Sequence, residues 1–367
     1  MRYAYWISVV LVIGAEVTAI SVYMRYWFPD APGWIWILGF SSLLIVVNAC
    51  SVNIFGSMEY WFTLIKVVAI LAFMIVGGMA LFYPPEGSSI GFENYFNNQG
   101  FFPKGFSGTW FAAVIAIFSF IGIEFIAVAA GEAKNPQQAA RTALKSSVFR
   151  LFFFYIGTVA LMVALVPWQQ AGVGESPFVL VMKMLGIPFG AGVMNFIVLT
   201  AALSAMNAQL YVATRMLYSL ARADLAPSAL GQVGRNGAPL RALAVSTFGV
   251  ALAAICSIAL PGDTFVLVMS IAMFGALFAW LMIFVTHYRF RRSIEESGGN
   301  LEFRMWGFPY LTIAGGVIMF AILFTTLLLP EFRMTLLIGI PLLVALNIAY
   351  SVMKSRSSGR APVEETL

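Results

Sequence analysis

The chain has 367 residues, of which 61% are hydrophobic and 10% charged, with a formal net charge of +5. Soluble domains carry about 25% charged residues, so composition excludes an ordinary water-soluble globule and puts most of the chain in a bilayer. The basic residues form no patch or stripe that could track a phosphate backbone, which excludes nucleic acid as the partner; they fall in short segments between apolar stretches.

Runs long enough to cross about 30 Å of hydrocarbon predict about ten transmembrane helices: residues 5–27, 34–54, 60–82, 108–130, 148–166, 187–220, 240–260, 264–287, 310–329 and 334–352. The sixth is long enough to carry a cytoplasmic extension. Residues 176–185 are apolar but short, which suits a helix lying at the outer surface. From residue 354 onward the chain is polar, and a disordered tail is expected. With Met1 inside, 16 of the 21 Lys and Arg residues fall on the cytoplasmic side and four on the opposite side, so both termini are expected in the cytoplasm of a multi-pass inner-membrane protein. The first apolar run exceeds a signal-peptide core and has no small-residue cleavage site. Cys50 and Cys256 lie inside apolar runs without metal-ligand spacing and read as small core residues.

Three ionisable residues fall inside the spans, Glu16, Lys66 and Glu124. Each costs roughly 2.5 to 3.5 kcal/mol near a helix centre on insertion scales, so a role facing a bundle interior is the default expectation. Two plainer readings stay open: Glu16 as a structural partner of a buried polar group, and Lys66 snorkelling to the interface. The segment Phe118-Ser119-Phe120-Ile121-Gly122-Ile123-Glu124 places a glycine and a carboxylate in the middle of a span. An unpaired backbone group in hydrocarbon costs several kcal/mol, so a helix breaks there only where it lines a cavity or binds something. A discontinuous helix of this kind marks a secondary transporter.

Three segments resemble the amino acid transporter family of the amino acid-polyamine-organocation superfamily. Gly14-Ala15-Glu16-Val17-Thr18-Ala19 with Tyr26-Trp27-Phe28-Pro29 looks like the family's third helix. Phe118 to Glu124 with Ala130-Gly131-Glu132-Ala133-Lys134-Asn135-Pro136 is similar to its sixth helix and exit loop. Leu203-Ser204-Ala205-Met206-Asn207-Ala208 with Arg215-Met216-Leu217 is similar to its eighth.

The resemblance implies an all-α, polytopic LeuT-type inverted-repeat fold, with substrate held between broken first and sixth helices. Counted by the family, the chain supplies helices three to twelve, as a permease truncated at its N-terminus by the first two helices and holding half of a binding site. Residues 1–352 would then be one membrane transporter domain, with 1–85 the remainder of the first repeat, 105–290 the second, 309–352 two C-terminal helices and 353–367 a cytoplasmic tail. By the same resemblance, Phe118 covers the substrate from outside, Ser119, Phe120, Ile121, Gly122, Ile123 and Ala15 contribute to its pocket, and unwound carbonyls at 121–123 receive its ammonium group. Lys66, Glu124 and Glu16 are the expected proton-coupling residues, with Ser204 the partner of Lys66 and no metal or cofactor required. A desolvated lysine that gains or loses a proton can bias two conformations. Proton-coupled uptake of an amino acid, neutral, aromatic or imino, is therefore the first expectation. The alternative is a non-transporting truncated permease, acting as a membrane partner or a degenerate remnant. An intramembrane enzyme fits poorly, for want of a metal-ligand cluster or a histidine-paired nucleophile. No motif demands a dimer.

Overall fold

A computed structural model describes residues 1–358 except 51, 86, 98, 131–132, 134, 171–175, 188, 260–262, 300 and 302–303. Its elements are helical throughout, with no strand among the described residues. Among the described residues, seven helices are long and apolar enough to cross a membrane: Arg2–Arg25, Ile54–Phe82, Pro136–Leu165, Gly190–Arg222, Ser270–Glu296, Tyr310–Leu328 and Met334–Val352. The apolar helices Gly33–Ala49 and Gly105–Ala116 are shorter, and Leu240–Ala259 is a further helix of 20 residues. Helical segments thus stand at each of the ten expected spans, with Gly33–Ala49 and Gly105–Ala116 shorter than expected. Large apolar side chains such as Val22, Trp61, Phe152, Phe248 and Phe320 face outward, as hydrocarbon surroundings permit and water does not.

Polar residues explain where the helices depart from the hydropathy reading. Helix α1 is Arg2–Arg25, α2 is Gly33–Ala49 and α3 is Val52–Phe82, so α3 starts eight residues earlier than expected, at 52 instead of 60, and takes in Glu59. The fifth span also starts early. Asn135 accepts a hydrogen bond from the Gln138 amide at 3.3 Å with Pro136 in the first turn, which caps α6, Pro136–Arg150. That Asn-Pro start signal precedes a polar turn that hydropathy discards. The helix then widens into a π-turn, Leu151–Ile156, before α7, Gly157–Leu165. At the other end, the helix from Met334 continues to Ser358, into the segment expected to be a disordered tail.

Residues Ile13–Ile258 form one compact unit, and Met1–Val12 with the chain from Ala259 onward form another. In the larger unit, α3 and α7 pack with α8, Pro177–Met184, and α9, Gly190–Arg222. Phe73, Leu165, Val166, Val179, Val181 and Met194 make the core there. At eight residues α8 is far too short to cross, and Val179, Val181 and Met182 are its buried face. Helix α2 meets α9 through a buried amide pair, Asn48 Nδ2 donating to Asn207 Oδ1 at 2.9 Å. Cys50 follows α2, half-buried and with a free thiol; the Cys256 side chain lies outside the described residues.

In the smaller unit, Asp263–Glu296 packs against Tyr310–Thr325 and Met334–Ser358. The Ser8 hydroxyl donates to the Ala272 carbonyl, and His287 Nδ1 pairs with Thr312 Oγ1 at 3.1 Å, so the single histidine ties helix to helix. Gly339 permits the closest approach, because a Cβ there would stand 2.1 Å from the ring of Phe274. Phe274 is 1% exposed and stacks on Phe278 at 5.9 Å, which leaves it little room to retreat. Gly339→Ala is therefore expected to destabilise the protein by about 1 to 3 kcal/mol, the usual cost of overpacking. A lowered Tm of the detergent-purified variant is the check.

Candidate functional site

The helix expected to be discontinuous is broken where the glycine stands. Helix α4, Gly105–Ala116, passes through a 3-10 turn, Ile117–Phe120, and a turn at 121–124 before α5, Phe125–Ala130, resumes. Gly122 sits at φ +108, a backbone region that side chains with a Cβ rarely adopt. The interruption leaves fewer carbonyls free than expected. The amides of Ile123, Phe125 and Ile126 bond back to the carbonyls of Phe120, Gly122 and Ile123 at 3.3, 3.0 and 3.2 Å, as in a 3-10 helix. Each of those oxygens keeps a second lone pair for another donor. The Gly122 amide donates to Glu124 Oε2 at 3.1 Å, so the carboxylate next to the break caps it.

This turn lines a cavity of about 400 Å³ together with α3 and α9. Ser119, Phe120, Ile121, Gly122 and Ile123 form one wall; Glu59, Lys66 and Ser204 stand in the other. Lys66 Nζ donates to Ser204 Oγ at 2.8 Å, and Ser204 Oγ donates to Glu59 Oε1 at 2.5 Å. Lys66 and Glu59 lie 3.9 Å apart, on one face of α3 because seven residues make two turns. Asn207 Nδ2 donates to the second oxygen of Glu59 at 3.4 Å and links the group to Asn48. The ammonium is thus engaged with a fully buried hydroxyl and does not reach along α3 to an interface.

Other sequence-selected residues lie at different depths. Gln209 lines the cavity, and its Nε2 donates to both carboxylate oxygens of Glu16 at 3.3 Å, which puts Glu16 one layer behind the wall. Ala15, expected in the pocket, is buried in α1 and absent from the cavity wall among the described residues, because its neighbour Glu16 is the one turned to Gln209. Phe118 is in the 3-10 turn, with its side chain outside the described residues; residues 131–132 and 134 of the exit motif are outside them too. Among the described residues, no group of three or more His, Cys, Asp or Glu could hold a metal ion.

Two participants were missed in the sequence. Glu59 fell just outside the predicted third span; its spacing of seven from Lys66 was the available signal. Tyr155 belongs to the π-turn, and its hydroxyl donates to the Ser119 carbonyl at 2.5 Å, with its ring 5.2 Å from that of Phe120. Nothing in its local sequence announces a contact 36 residues away. Tyr155→Phe removes that donor at a cost of about 0.5 to 1.5 kcal/mol. If the loosened turn is the one that must hold substrate, uptake should slow by roughly two- to tenfold at that energy, measured as an initial rate in proteoliposomes.

The sequence has relatives among known proteins. The family model described as amino acid permease matches residues 1–360. The chain belongs to the amino acid permease family. Among relatives of this permease is the gamma-aminobutyric acid permease of Bacillus subtilis, 38% identical over 354 residues, which are 96% of this chain and 76% of the relative. The aromatic amino acid transport protein AroP of Escherichia coli K12 is 35% identical over 94% of this chain and 76% of its own length. The amino-acid permease RocC of Bacillus subtilis is 34% identical over 98% of this chain and 78% of its own. These relatives are named as transporters and not as enzymes, and the permease is accordingly a membrane protein of amino acid transport.

Proposed function

We propose that this permease takes up a neutral amino acid by proton-coupled alternating access in the inner membrane, with both termini cytoplasmic. The observation that carries the reading is the break at Gly122, whose turn lines the same cavity as Lys66. Backbone oxygens at such a turn favour an ammonium group, and Phe120, Ile121 and Ile123 offer an apolar wall to a side chain. Lys66 supplies a proton-binding group where no metal is needed, held to Ser204 so that its charge is felt by α9. Glu124 holds the break in shape through the Gly122 amide, and Glu16 fixes Gln209 from behind. In this reading the helices from α1 onward correspond to the family's third to twelfth, with residues 1–85 and 105–290 belonging to successive inverted repeats, 309–352 to two further helices and 353–367 to a cytoplasmic tail. Named substrates of the relatives, gamma-aminobutyric acid and aromatic amino acids, set the first compounds to try.

The test is accumulation of radiolabelled amino acids in proteoliposomes with an inward proton gradient, over a panel that includes γ-aminobutyrate, phenylalanine and proline. Accumulation of a neutral amino acid that collapses with a protonophore is expected. Accumulation of none above protein-free liposomes would overturn transport and favour the accessory role. Accumulation indifferent to the protonophore would leave transport standing and remove proton coupling.

A further inference from the structure

We propose that Glu59, Ser204 and Lys66 form a proton relay, in which Glu59 takes the proton that Lys66 gives up. The inference rests on the proton-coupled reading and assigns its second titrating group. Direction is built into the hydrogen bonds: Lys66 Nζ donates to Ser204 Oγ, and the same hydroxyl donates onward to Glu59 Oε1. The two ends are 3.9 Å apart, yet it is the hydroxyl between them that both engage. In the transfer, an N–H bond of Lys66 breaks as Ser204 Oγ gains a proton, and the original Ser204 O–H bond breaks as Glu59 Oε1 gains one. Two O–H bonds form, the serine is regenerated, and an ammonium–carboxylate pair becomes an amine and a carboxylic acid with no change in net charge.

That arrangement differs from a lysine working alone. A lone ammonium in a bilayer must release its proton to a distant acceptor, whereas here the acceptor is on the same face of α3. Ser204 is 0% exposed, and its hydroxyl bonds to both ends of the pair. Among the described residues, Asn207 bonds the second oxygen of Glu59, with Asn48 behind it; Gln209 leads to Glu16; Arg150, Tyr155 and the turn held by Glu124 line the same cavity. Helix α7, packed on α3, contributes no titratable side chain. Conversion to the neutral pair removes the charge attraction within the site without taking up or releasing a proton; a proton then passed from Glu59 to the cavity it lines leaves the site one proton short, and it is the population of that state that depends on proton supply.

The experiment compares the native permease with Glu59→Gln, Ser204→Ala and Ser204→Thr in proteoliposomes, using the amino acid panel above. Two rates are read for each protein, uptake driven by an inward proton gradient and exchange at equal pH. Exchange without gradient stimulation in the native protein defeats proton coupling itself, and the relay with it. Where the native protein is stimulated, the ratio of driven uptake to exchange is expected to fall about tenfold or more in Glu59→Gln and Ser204→Ala, and to recover in Ser204→Thr, which keeps a hydroxyl. A native ratio in Ser204→Ala overturns the relay while leaving proton coupling intact, as does a lowered ratio that Ser204→Thr fails to restore. Should Glu59→Gln not assemble, Ser204→Ala and Ser204→Thr decide alone.

Discussion

Lys66→Met is expected to lower proton-driven amino acid accumulation by about a hundredfold, the scale of losing a positioned proton donor. The substitution keeps an unbranched side chain that fits along α3, so packing changes little. What changes is the polar group left behind. Ser204 loses its donor, and the Glu59 carboxylate keeps only the serine hydroxyl and the Asn207 amide. Breaking a fully buried pair costs about 3 to 5 kcal/mol; here the two side chains are 29% and 27% exposed, and solvent screening reduces the penalty. The variant should therefore fold and insert, so that flux, and not yield, reports the effect. Arginine is a poor substitute, since its rigid fork cannot place one donor on Ser204 as the ammonium does. Accumulation at the native rate in Lys66→Met would remove this lysine from the mechanism.

Gly122→Val is the second large effect. At φ +108 a β-branched residue is strained whatever its surroundings, and a strained backbone position costs about 1 to 3 kcal/mol. The open geometry around Gly122 makes the cause specific: the nearest atoms to an added Cβ are those of the Phe125 ring at 3.7 Å, an ordinary contact. The backbone would relax toward a continuous helix, carrying the Gly122 amide away from Glu124 and the turn away from the cavity. Uptake should fall between about five- and a hundredfold, the rate equivalent of that strain. Gly78→Ala is the control, because Gly78 lies in α3 with nothing within 4 Å of an added Cβ. Its uptake should match the native protein. Equal losses in the two variants would mean that glycine content, and not the break, is what matters.

The features legible from sequence were those written in local chemistry. A glycine and a carboxylate in an apolar run announce a broken helix, because hydrocarbon tolerates neither without cause. Helix starts were less legible: the polar first turn of α6 and the segment of α3 before residue 60 look like loop to any reading that weighs hydrophobicity alone, although Asn135 and Pro136 mark one of them. The Lys66–Ser204 hydrogen bond was expected from the family resemblance and not from the residues' own spacing. Glu59 was obscured by its position at an expected span edge. Tyr155 was obscured by its surroundings, since in Leu151–Ile156 it is one aromatic residue among four, and only the widened turn singles it out.

The amide pair between Asn48 and Asn207 bears on biogenesis. Helix α2 has no charged residue and is apolar enough to enter the bilayer on its own, whereas its hydrogen-bond partner is 159 residues further along the chain. Until α9 is synthesised, the Asn48 carboxamide must wait in the membrane without that partner. In nascent chains stalled before α9, Asn48 Nδ2 keeps only its bond to the Leu44 carbonyl within α2, so the bond that joins the two helices forms late in synthesis.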